Sequence, residues 1–242
     1  MAKHLLFMTA ILVLLGAGTK AAEVTVVTEE GALQYSENNQ VSGVATDLVR
    51  AVLDKVDVDY TITIYPWPRA YAMALTKPNV LIYSMTRTPQ RESQFKWVGE
   101  IIPINYSLFR LKSKPQVSPQ SLEHAKKYSI GVINKGAIHK YFQQQDFPHI
   151  QPVSDIKAHV KKFVSGRVDL IALNTTRLPQ LCKKNIVDCQ LIEPVMTLPD
   201  ISTGLYLAFS HNSDDKLVAQ AQLAYTELKQ DGTYQKIMTP AL

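Results

Sequence analysis

Two short apolar runs, Asn79-Val-Leu-Ile-Tyr-Ser84 and Asp169-Leu-Ile-Ala-Leu-Asn174, constrain this chain more than any other feature. Each is too short for a core helix, follows a segment of helical periodicity and ends on a polar residue. Such runs read as strands buried on both faces. The chain around them alternates between the two periods. Residues 24–28 are β-branched and strand-like. Val44, Leu48, Val52 and Val56 then recur every four residues, with Val49 and Leu53 beside them, as in an amphipathic helix facing a core. Tyr60-Thr-Ile-Thr-Ile-Tyr65 is a strand by alternation, and Pro68 opens a short helix before the first run. A second series begins with a strand over 128–133 and a helix from near Ala137. Next comes a helix capped by Ser154 and closed by Gly166, carrying Ile156, Val160, Phe163 and Val164, and then the second run. An extended segment over 204–209 and a helix over 214–229 complete the pattern. This predicts an α/β fold of two lobes across a cleft, with ligands at the carboxyl ends of strands, where Ser84 and Asn174 lie. Either residue alone also reads as a turn cap.

The octapeptide Ser84-Met-Thr-Arg-Thr-Pro-Gln-Arg91 carries the chemistry. On an extended chain Ser84 and Thr86 point to the same side. Thr88 and Pro89 read as an N-cap and a first helical residue, which puts Arg91 in the first turn. Two hydroxyls, free backbone N–H groups and a guanidinium then converge on a spot suited to a carboxylate, which arginine grips through two parallel hydrogen bonds. The competing reading pairs Arg91 with Glu92 or Glu100 on the surface.

The first 22 residues read as an export leader: Lys3, an uncharged stretch over 5–18, then Ala21 and Ala22 at the cleavage point. That stretch is shorter than the roughly 20 residues that cross a bilayer. A periplasmic protein follows. The net charge of +5 falls to about +3 once Lys3 and Lys20 leave with the leader, and no basic run accompanies it, so nucleic acid is not a partner. Cys182 and Cys189 are the only cysteines. In an oxidising compartment they read as a disulfide, since a metal site needs further ligands and no histidine adjoins them. No cofactor or metal is expected. Acid–base catalysis would rest on Glu29 and His139, which the sequence does not bring together, and no nucleophile elbow, zinc motif or phosphate loop occurs. A binding protein is expected, not an enzyme. The chain reaches Leu242 without an attached kinase or DNA-binding module, so separate partners are expected.

Several segments in order resemble the family 3 periplasmic solute-binding proteins, the polar amino-acid binders of ABC importers. Gly43-Val-Ala-Thr-Asp-Leu48 is similar to the family's entry into its first helix, and the octapeptide ending at Arg91 to its hydroxyl-rich signature. Ser165-Gly-Arg-Val-Asp169, Gly204-Leu-Tyr-Leu-Ala-Phe-Ser210 and Gln230-Asp-Gly-Thr-Tyr234 resemble later landmarks. The resemblance implies a type II periplasmic binding fold, hinged on two extended crossovers near Phe109 and Thr203. One lobe would span 23–109 with 204–242, the other 110–203. It implies that Arg91, Ser84 and Thr86 hold a ligand's α-carboxylate, that Glu29 lines the cleft, and that Tyr35 and Trp67 flank the ligand body. Two departures stand out: Asn174 replaces the aspartate that usually receives the α-ammonium group, and Lys135-Gly136-Ala137 replaces a glycine and two threonines. Glu29 is the alternative source of negative charge. Arg69 is either a second cation at the site or a solvated helix start. The implied protein is a monomer that captures a small carboxylate-bearing, amino-acid-like solute for an ABC permease. The alternatives are a ligand sensor for a membrane partner and, further off, a dehydratase-like enzyme on the same fold.

Overall fold

The computed structural model describes residues 23–201 and 203–239; the export leader read over 1–22 lies outside them. In chain order the first elements are β1 (Val24–Thr28), β2 (Tyr35–Glu37), β3 (Gln40–Ser42), α1 (Val44–Val56), β4 (Tyr60–Ile64), α2 (Trp67–Thr76) and β5 (Val80–Thr86). A 3-10 turn (Pro89–Gln94) leads to β6 (Phe95–Pro103), β7 (Tyr106–Leu111), α3 (Leu122–Ala125), β8 (Ile130–Ile133), α4 (Ala137–Gln144) and β9 (Ile150–Val153). Then come α5 (Ile156–Val164), β10 (Leu170–Asn174), α6 (Arg177–Lys183), β11 (Ile192–Thr197), β12 (Gly204–Ser210), α7 (Asp215–Gln230) and α8 (Thr233–Met238).

The strands form two five-stranded mixed sheets and one small hairpin, β2-β3. The first sheet has the order β4-β1-β5-β12-β6, with β1, β4 and β5 parallel and β12 antiparallel to both its neighbours. The second has the order β11-β7-β10-β8-β9, with β8, β9 and β10 parallel and β7 antiparallel to β10 and β11. The two apolar runs are β5 and β10, each the central strand of its sheet. Their alternation feeds two cores each. In β5, Leu81 and Tyr83 pack beneath α1 and α7, while Val80 and Ile82 face Ala70 and Ala74 of α2. In β10, Leu170 and Ala172 meet Ile138 and Phe142 of α4, while Ile171 and Leu173 meet Val160 and Phe163 of α5. This double burial explains the near-continuous apolar sequence.

The chain passes from the first sheet to the second at Ile104 and Asn105 and returns through Thr203, where the Ile104 N–H donates to the Thr203 carbonyl at 3.1 Å. The outward crossing therefore precedes Phe109, which is buried inside β7 and paired with Ile171. The stretch from Ile101 to Leu111 is apolar at most positions, so hydrophobicity marks no boundary in it. The break falls just after Pro103, a residue with no N–H to extend a ladder. The α5 helix is capped by Asp155, which accepts from the Ala158 N–H at 2.9 Å, and not by Ser154, whose hydroxyl instead donates to Asp155.

Candidate ligand-binding site

A cavity of about 90 Å³ lies between the sheets, several times the room that one water needs. The ends of β5 and β10 both reach it, and Ser84, Thr86 and Asn174 line it. Ser84 gets there by an unforeseen route. Met85 pairs with Tyr206 and Tyr83 with Leu207, so Ser84 is an extra residue bulged out of the ladder, with φ of +57°. The bulge sends Met85 to the α2 face that plain alternation would have given Ser84. The two hydroxyls thus share the cavity through a bulge and not through a continuous extended strand. Ser84 Oγ donates to Gln34 Oε1 at 2.7 Å, and Thr86 Oγ1 lies 3.0 Å from the Tyr106 hydroxyl.

Arg91 is 4% exposed and lines the same cavity. It sits in the 3-10 turn, not in the α-helix that Thr-Pro suggests. Only six residues separate Thr88 from β6, and the Thr88 hydroxyl makes no capping bond. Arg91 is instead gripped directly: Nη1 donates to the Thr86 carbonyl at 2.9 Å and Nη2 to the Lys135 carbonyl at 3.3 Å. Its Cζ lies 5.2 Å from the Trp67 ring centre and 4.9 Å from that of Tyr71. Burial pushes its pKa down, opposed by Tyr71, Tyr106 and Glu29; arginine stays charged regardless. Among the described residues no carboxylate comes within ion-pair distance of it. Glu92, its candidate surface partner, is engaged by Arg87.

On the far wall, Lys135 has φ of +58°, and its carbonyl also accepts from Trp67 Nε1 at 3.0 Å. Gly136 and Ala137, at the start of α4, line the cavity beside it. Asn174 Oδ1 accepts from the Thr176 hydroxyl at 2.9 Å and the Arg177 N–H at 2.8 Å, so its carbonyl oxygen caps α6 while the residue lines the cavity. Arg177 reaches across the cleft to Glu29, 2.7 Å away, and also donates to the Glu30 carbonyl. Further along α6, Gln180 donates to the Gly31 carbonyl at 2.6 Å, and just beyond it Lys184 meets Glu30 at 3.0 Å. The site thus holds two guanidinium groups and one carboxylate, and that carboxylate is taken.

The sequence model of the bacterial extracellular solute-binding proteins, family 3, matches residues 24–240. The chain belongs to this family. Solved structures share the fold at low identity. A histidine kinase sensor domain similar to periplasmic binding proteins gives a TM-score of 0.78 at 14% identity, over 91% of this chain and 96% of that one. An ancestral arginine-binding protein bound to arginine gives 0.76 at 19%, over 91% and 98%. The arginine-, lysine-, histidine-binding protein ArtJ of Geobacillus stearothermophilus gives 0.76 at 18%, over 90% and 94%. No curated protein matches the chain.

Within this family 3 fold, eight of the ten sequence-nominated ligand residues line the cavity: Arg91, Ser84, Thr86, Glu29, Trp67, Gly136, Ala137 and Asn174. Tyr35 and Arg69 do not. Tyr35 lies on the β2-β3 hairpin, with Lys184 Nζ 5.4 Å from its ring centre. Arg69 is exposed in the first turn of α2, its Cζ 4.2 Å over the Tyr65 ring, which is the solvated-start reading. Glu29 is no free anion, because Arg177 neutralises it. His139 accepts from the Lys135 N–H at 3.0 Å and is not a cavity residue. Cys182 and Cys189 are bonded, with their Cα atoms 5.6 Å apart. Gln34, Arg177 and His159 also line the cavity, although no sequence pattern read above points to them. For Arg177 a signal existed: Arg177, Gln180 and Lys184 recur at helical spacing directly after Asn174.

Proposed function

We propose that this is a periplasmic monomer that captures a small carboxylate-bearing, amino-acid-like solute and delivers it to an ABC importer. The observation that carries the reading is Arg91: a nearly fully buried guanidinium on a cavity wall with no carboxylate partner among the described residues. Burying a cation without a counter-charge is costly, and an entering carboxylate supplies one. Ser84 and Thr86 flank it with hydroxyls. Trp67 packs beside the guanidinium, and Asn174 meets the solute from the second lobe. Arg91 and Trp67 both donate to Lys135 across the cleft, so ligand capture and lobe closure share one set of groups. Binding shifts the open–closed balance toward the closed form, which the partner then recognises.

Arginine, the ligand named for several structures of this fold, suits the cavity poorly. A cationic side chain would face Arg177, and Glu29 is already paired. A neutral or acidic solute is the better fit. The same closing motion also serves a membrane sensor in place of a permease. The likeness to a histidine kinase sensor domain supports that second reading at the level of fold.

A thermal-shift screen of amino acids and small organic acids tests the proposal, because any solute well above its dissociation constant raises the melting temperature. Carboxylates should dominate the hits. Calorimetry on Arg91→Ala should then show a loss of roughly 2–5 kcal/mol, as for a broken buried charge pair. Unchanged affinity, or hits confined to solutes without a carboxylate, would reject the assignment.

A further inference from the structure

His159 holds the least satisfied chemistry among the described residues. It is 2% exposed on α5, and neither ring nitrogen has a hydrogen-bond partner. An apolar side chain in its place would avoid the cost of that burial. The fold makes room for the ring: a Cβ at position 131 would lie 3.0 Å from His159 Cδ2, so Gly131 is the residue that lets the imidazole sit against β8. The cavity lies beside it. His159 and, one turn earlier, Ile156 form the cavity wall on α5, and Val132, Ala172 and Leu173 line the adjoining sheet surface. Burial, helped by Arg177 and Lys162 and opposed by the Gly131 backbone, which lies close without forming a well-aligned hydrogen bond, holds the imidazole neutral at ordinary pH. A neutral imidazole offers one donor and one acceptor, here on a stretch of cavity wall whose immediate neighbours Val132, Ile156, Ala172 and Leu173 are apolar.

We propose that His159 is a second ligand-binding residue, pairing with an uncharged polar group, an amide or hydroxyl, at the end of the solute remote from Arg91. This rests on reading Arg91 as the carboxylate anchor. The two anchors stand on different lobes, so a solute long enough to touch both engages them together only when the cleft is closed. Selection for the distal group is thereby tied to closure. A cationic distal group meets Arg177, and an apolar one leaves the imidazole unpaired.

The test uses two matched probe pairs, glutamine with norleucine and glutaramate with hexanoate, measured by calorimetry on the full chain. The wild type should bind an amide probe at least about 10-fold tighter than its alkyl partner. His159→Leu should lose that preference while melting about 2–4 °C higher in the absence of solute, because an unpaired buried polar group has gone. His159→Gln, which keeps a donor and an acceptor, should retain the preference. A wild type that binds none of the four probes, or shows no amide preference, overturns the proposal. So does a His159→Leu protein that keeps the preference or melts lower. Arg91→Ala separates the two claims. Unchanged affinity in that variant, with the amide preference intact, sinks the carboxylate anchor and leaves His159 standing, and the converse pattern does the reverse.

Discussion

At Ser84 a β-strand carries a non-glycine residue at φ of +57°, a conformation costing roughly 1–3 kcal/mol, with the Gln34 Oε1 bond as partial compensation. Two effects can be separated there by substitution. Ser84→Ala keeps the strain and strands Gln34, which is 2% exposed, so it should be less stable than wild type by about 1–3 kcal/mol in urea unfolding. Ser84→Gly strands the same amide but relieves the backbone, so it should exceed the alanine variant by about 1 kcal/mol. Equal stability of the two would show that the bulge holds no strain. At His159 the prediction concerns pH. Burial, helped by the charges of Arg177 and Lys162 and opposed by the Gly131 backbone, lowers its pKa from 6.5 to about 4. Below pH 6.5 the unfolded chain binds a proton that the folded chain refuses, so stability drains away from there down to pH 4 and is unaffected above. The loss is at most about 3 kcal/mol. Carboxylates such as Asp169, held below the usual range by Ser129 and Lys114 against the opposing effect of burial, add their own acid loss. The clean measurement is therefore the difference between wild type and His159→Leu, which should grow across that window and nowhere else.

Among the elements, α6 is the one whose function depends on its neighbours. It follows Asn174, carries Arg177, and runs into a short loop closed by the Cys182–Cys189 disulfide. A loop this small is worth about 2–3 kcal/mol on the chain-entropy model. Cys182→Ser with Cys189→Ser should therefore lower urea stability by that order. It should also loosen Gln180 and Lys184 against the loop after β1, read as faster amide exchange in 177–184. Unchanged exchange would mean that the packing of Leu181 and the contacts of Arg177, Gln180 and Lys184 hold the helix without the disulfide. The elements also show what a sequence reveals and what it hides. The α1 helix and the strands β5 and β10 are plain from apolar spacing, because each buries a face or two and the period records it. The turn at Arg91 is not, since Thr-Pro announces a helical start equally well for α and 3-10 geometry, and only the nearness of β6 decides. The bulge at Ser84 is invisible because no glycine marks it. The crossing at Ile104 is hidden in an apolar stretch, and the ion pair of Arg177 with Glu29 joins residues 148 apart in the chain. His159 is hidden in the sequence because a lone histidine on a helix reads as a surface residue until its burial is known.

For the molecule as a whole, the contacts across the cleft decide what shape it holds. Lys135 receives Trp67 and Arg91, while Arg177, Gln180 and Lys184 fasten α6 to Glu29, Glu30 and Gly31. Most of these bonds involve charge, so closure should be salt-dependent, because at 1 M salt the screening length falls to about 3 Å. The side chains of Arg177 and Glu29 are 15% and 19% exposed, between a surface pair and a buried one. Removing one partner should shift the open–closed balance by roughly 1–3 kcal/mol, and every 1.4 kcal/mol is about tenfold in that ratio. The chain supplies its own reporter. It has two tryptophans, and Trp67 is 4% exposed with its indole N–H donating to the Lys135 carbonyl across the cleft. In a Trp97→Phe background, Arg177→Met should red-shift the Trp67 emission and enlarge the scattering radius, and 1 M sodium chloride should move the unsubstituted background the same way. A carboxylate ligand should reverse both shifts, since it restores a bridge between the lobes at Arg91. If emission and radius ignore Arg177, salt and ligand alike, the two sheets do not move against each other, and capture by closure is the wrong description of this protein.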